Sequence, residues 1–337
     1  MGKILPPSNE NENRQRQPPL QSETTGNYEN ESRQSQPPSI LTIHYRQQGK
    51  HTIYRPVDGK SHIICTSILI DKYVVASTHG WLVLTDKIKQ DCCLWNPDSK
   101  DVIKLPRLQK NCFYSKCVLS KPPTEPDCHI LFTSDDLFQQ AFCKIGDVEF
   151  VYQSQIKEVE RLIGIASSQG KIYGVMIPDF KFVTIEFVGR TIEFRPILIN
   201  GEQPLTAPVI EKNWVVRNVS DLIDSHTGNE LLFVVKDLTQ NSIMDGSEFT
   251  VFRVDINRME CIEVDDIGDQ VILIGQCGTG FCCSSSGTTF KPNSIYYIRE
   301  YERCVYVFDL DDKSTVSWLP NDVGYVLNHF WVDVKLE

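Results

Sequence analysis

The chain has 337 residues, 41% of them hydrophobic and 10% aromatic, enough to bury the core of one large domain or of two ordinary ones. Its net charge of -10 excludes a global attraction to nucleic acid or anionic lipid, and residues 1–40 contribute only -1 of it. No stretch approaches the length of apolar residues that a membrane-spanning helix needs, so no such span and no membrane partner are predicted.

The chain opens Met1-Gly2-Lys3-Ile4-Leu5-Pro6 and passes straight into polar residues, without the apolar run of a secretory signal. Pro6 stands where a myristoylation signal needs Ser or Thr, and Glu10 and Glu12 argue against a transit peptide. The expectation is a soluble protein of the cytoplasm, the nucleus or both, with its twelve cysteines reduced. Residues 1–39, rich in Pro, Gln and Asn, hold too few apolar side chains to offset chain entropy, so a disordered tail is predicted there. Within it Arg14-Gln15-Arg16-Gln17-Pro18-Pro19 returns as Arg33-Gln34-Ser35-Gln36-Pro37-Pro38, either a paired extended ligand or drift in a low-complexity segment.

From Ser39 onward the pattern changes to short apolar runs separated by Gly, Pro, Asn and Asp. Examples are Ile40–Tyr45, Ile63–Ile70, Tyr73–Ala76, His129–Phe132, Lys171–Ile177, Phe182–Phe187, Glu230–Val235, Phe249–Val254 and Val271–Ile274, all of strand length. Helical periodicity is nearly absent; Ile156–Ile165 suits a helical turn or two, or a strand edge. Residues 79–106 form a clear phrase: a strand opening on Gly80-Trp81, a second running into the turn Asn96-Pro97-Asp98-Ser99-Lys100, and a third ending on Leu105-Pro106. The phrase returns over residues 293–320, with its turn at Asp309-Leu310-Asp311-Asp312-Lys313. Comparable strands open at Trp81, His129, Lys171, Leu231 and Ile295, spacings that fit propeller blades with loop insertions. The prediction is an all-β fold, a β-propeller of about six or seven blades over residues 40–337. A two-domain β-sandwich is the competitor.

Few constellations carry chemistry. Cys112 and Cys117 with Cys128 and His129 could form a zinc site only if the loop between them folds back, and most cysteines lie in apolar runs. The strand and glycines of Val271–Gly280 lack the following helix that a dinucleotide fingerprint requires. There is no G-x-S-x-G elbow or H-E-x-x-H, and the pairs Asp135-Asp136, Asp265-Asp266 and Asp311-Asp312 fall at turns, where carboxylates are normally solvated. No catalytic, cofactor or metal residue is predicted. Large aromatics at turns are the better hint: Phe113, Tyr114, Phe138, Phe180, Phe182 and Tyr301 are the candidate partner-binding residues, with plain packing between blades as the alternative for each.

Gly80-Trp81-Leu82, Leu94-Trp95-Asn96-Pro97, Gly170-Lys171-Ile172-Tyr173, Glu230–Val234, Phe249–Val254, Ile267-Gly268-Asp269 and Asn293–Tyr297, in this order, resemble the plant F-box-associated β-propeller family over roughly residues 38–333. Cys261 stands where that family usually places a Trp, so one blade is expected to pack differently. Many members begin with an F-box, an apolar helical module that docks a ubiquitin-ligase adaptor, and residues 1–39 hold no such apolar helix. The resemblance implies a non-enzymatic protein-interaction propeller, recruiting substrates to a ubiquitin ligase or acting as a free scaffold. A propeller enzyme or small-ligand binder using the central channel is the alternative, which convergent Asp, His and Arg side chains would favour and a clogged channel would oppose.

Overall fold

The structure is a computed structural model that describes residues 1–2, 37–43, 49–86, 90–109, 114, 116–134, 139–154, 161–208, 220–225, 230–237, 248–275, 280–298, 305–318 and 328–333. Among them the chain is all β, arranged as a six-bladed propeller, and no helix is long and apolar enough to cross a membrane.

Blade one contains β1 (Ser39–Ile43), β2 (Lys50–Arg55) and β3 (Lys60–Cys65). Blade two is β4 (Lys72–Thr78), β5 (Trp81–Asp86), β6 (Cys92–Trp95) and β7 (Val102–Leu105). Blade three is β8 (Lys116–Leu119), β9 (His129–Thr133), β10 (Gln139–Lys144) and β11 (Val151–Ser154). Blade four is β12 (Arg161–Ser168), β13 (Lys171–Ile177), β14 (Lys181–Val188) and β15 (Thr191–Pro196), followed by a small hairpin, β16 (Leu198–Ile199) and β17 (Gln203–Pro204). Blade five is β18 (Ser220–Asp224), β19 (Leu231–Asp237), β20 (Glu248–Asp255) and β21 (Glu260–Val264). Blade six has β22 (Gln270–Ile274), β23 (Gly280–Ser284), β24 (Ser294–Ile298), β25 (Val305–Asp309) and β26 (Thr315–Trp318). The final strand, β27 (Asn328–Val332), pairs antiparallel with β1, Ile40 opposite Trp331 and Thr42 opposite His329, and completes blade one.

Of the strand starts singled out by spacing, Trp81, His129, Lys171 and Leu231 fall in the second strand of their blades, β5, β9, β13 and β19, and Ile295 falls in β24, the third strand of blade six. Both repeated phrases form the outer three strands of a blade, β5–β7 and β24–β26. The turn chemistry is as read: Asn96 Oδ1 accepts from the N–H groups of Asp98 and Ser99 at 2.9 and 3.0 Å, and Asp309 Oδ1 accepts from Asp311 N–H at 2.9 Å. The run Ile63–Ile70 is not one strand. β3 ends at Cys65, where Thr66 turns the chain and Thr66 Oγ1 accepts from Ile68 N–H, before β4 begins. The ambiguous stretch Ile156–Ile165 enters β12 at Arg161, while residues 155–160 lie outside the described residues.

A blade is covered on both faces by its neighbours, so inner strands read as unbroken apolar runs: β1, β22 and β24 are buried at every position. The outermost strands β3, β7, β21 and β26 alternate, or lie open to solvent. Six apolar clusters fill the six junctions between adjacent blades. Trp81, Leu94, Ile130 and Phe132 join blades two and three; Phe182, Phe233 and Phe252 join four and five; Tyr296, Phe290 and Trp331 join six and one. Each buried aliphatic or aromatic side chain stabilises the ring by about 1.5–3 kcal/mol relative to exposure. Cys261 packs partly buried against the cluster between blades four and five.

Candidate functional site

The innermost strands β27, β4, β8, β12, β18 and β23 follow one another around the axis. Two of them carry bulges against their partners, at Val74/Ala76 in β4 and at Leu162/Gly164 in β12, which bend the strand toward its neighbours. Their approach demands glycine. A Cβ on Gly164 would sit 3.2 Å from Leu222 N, and one on Gly280 would sit 2.4 Å from Ile223 Cδ1.

At the start of β8, Lys116 Nζ donates to Asp221 Oδ1 of β18 at 3.1 Å, and both side chains are buried. β8 and β18 are not adjacent; β12 stands between them, so the pair spans β12. Two such charges in a low-dielectric interior hold one another in place, because either alone would pay its full desolvation cost. Farther along β18, Ser225 Oγ donates to Gln270 Oε1 at 3.1 Å and Cys282 Sγ approaches the same oxygen at 3.0 Å, tying blade five to blade six.

Two carboxyls close the far ends of innermost strands. Burial pushes Asp224 above the usual carboxylate range, against a Ser168 hydrogen bond that lowers it, and Asp224 Oδ1 is enclosed with no hydrogen-bond partner among the described residues. Burial likewise raises Asp333, whose backbone N–H donates to Ser77 Oγ at 3.0 Å.

The predicted aromatics divide. Phe113, Phe138 and Tyr301 lie outside the described residues. Phe182, a candidate expected at a turn, lies in β14 and is only 1% exposed, packed edge-on to Phe233 at 5.9 Å. The cause is the pleat of β14, which turns Phe182 into the junction with blade five. Phe180 is half-buried in the same cluster, 6.4 Å from Phe233. Tyr114 packs against the junction of blades two and three, 5.6 Å from Phe132. These three side chains thus serve contacts between blades.

The nine cysteines among the described residues are free thiols. Cys92, Cys117 and Cys143 share the core between blades two and three, and burial holds each as the thiol, Cys143 pushed up to about 12. Cys112 lies outside the described residues. Among those described, no three His, Cys, Asp or Glu side chains are placed to hold a metal. After β22 the next element is the strand β23, with residues 276–279 between them outside the described residues. Sequence reasoning missed the Lys116–Asp221 pair. Its members are 105 residues apart, and neither stands in a local motif.

Comparison with known proteins places these features in context. The sequence profile of the KIB1-4 beta-propeller matches residues 53–323. The Arabidopsis thaliana protein named F-box protein At4g00893 is 32% identical over 76 residues, which is 23% of this chain and 19% of that protein, so the chain spans about a fifth of that relative's length. Among solved structures, TolB from Acinetobacter baumannii is 11% identical with a TM-score of 0.43, over 88% of this chain and 66% of that one. A chain of a nidogen/laminin complex is 11% identical with a TM-score of 0.43, over 87% of this chain and 97% of that one.

Proposed function

Because the chain belongs to the KIB1-4 beta-propeller family, we propose that it works as a non-enzymatic protein-interaction module, a rigid ring that presents its rims to partner proteins. The observation that carries this reading is the profile match over residues 53–323, about nine-tenths of the ring's length, joined to a similarity with a protein named for its F-box. A propeller of this kind in an F-box context recruits substrates to a ubiquitin ligase; without that context it serves as a scaffold, in the cytoplasm or nucleus. The buried Lys116–Asp221 pair, which spans β12 in the inner ring, agrees with recognition at the rims.

The test is affinity purification of the tagged full chain from its native tissue, followed by mass spectrometry. Recovery of the ligase adaptor and a cullin assigns the receptor role. A different partner, recovered reproducibly without them, assigns the scaffold role. Absence of any partner that survives washing, alongside turnover of a small molecule bound in the channel, would overturn both.

A further inference from the structure

We draw no further inference here: the strongest candidate, the apolar groove between blades six and one, where Ile63 of β3 and Val316 of β26 stand exposed on the facing walls, carries nothing because nothing in the structure shows what covers it.

Discussion

Blades two and six carry the same three-strand phrase, yet they are built differently toward the axis. Blade two is a plain meander, with β4 as its innermost strand, bulged at Val74/Ala76. Blade six has five strands. β22 lies parallel to β24, Ile272 opposite Ile295, and β23 folds back inside it to take the innermost place. The outer strands follow from local chemistry, since a turn of Asn96 or Asp309 brings neighbouring segments together at little entropic cost. The inner strands answer to the ring. Their neighbours are distant in sequence, and their positions depend on close approach and buried charge.

The sharpest way to break this comparison is to strike the inner ring. Lys116→Met should destabilise the protein by about 3–5 kcal/mol, because Asp221 is left buried and unpaired, whereas Lys116→Met with Asp221→Leu should recover most of the loss. Urea unfolding of the two single variants and the double variant checks this. Next, two glycines separate the inner and outer parts. Gly280→Ala of blade six drives a methyl group into Ile223 and should cost about 1–3 kcal/mol, partly relieved by Ile223→Val. Gly80→Ala of blade two meets no atom within 4 Å and pays only for its φ of +75°, about 1 kcal/mol. Thermal melting of the pair measures the difference.

Asn96→Ala removes two acceptor bonds from an exposed turn and should cost about 0.5–1.5 kcal/mol, without touching the ring. The smallest effect is one of pH. Asp224 and Asp333 are raised by burial, so the folded state holds their protons more tightly than the unfolded chain does. The stability they lend is complete below the unfolded carboxylate range and is lost as pH rises through the folded values. Asp224→Asn and Asp333→Asn should each flatten that loss and raise the melting temperature at neutral pH relative to wild type.

The same division explains what could be read in the chain. Trp81, His129, Lys171, Leu231 and Ile295 are legible because each stands at or beside the start of an apolar strand. The inserted β22 reads as an apolar strand, but nothing in Val271–Ile274 says that it pairs parallel to a strand some twenty residues onward. Phe182 shows a limit of alternation. In a blade both faces are covered, so a Phe beside Lys181 is as buried as one among aliphatics. Lys116 and Asp221 stand in no local motif, and only the ring brings them together.

The first sheet has one further consequence, for synthesis. β1 leaves the ribosome early, but its partner β27 follows far later: Thr42 and His329, hydrogen-bonded across the seam at 2.9 Å, are 287 residues apart. At about 5–20 residues per second the nascent chain keeps that edge of β1 unpaired for roughly a quarter of a minute to a minute. During that interval the row of free N–H and C=O groups is open to any other extended chain nearby. The seam that makes the finished ring continuous is therefore also where a half-made one is most exposed to mispairing, and the place where a chaperone would have most to shield.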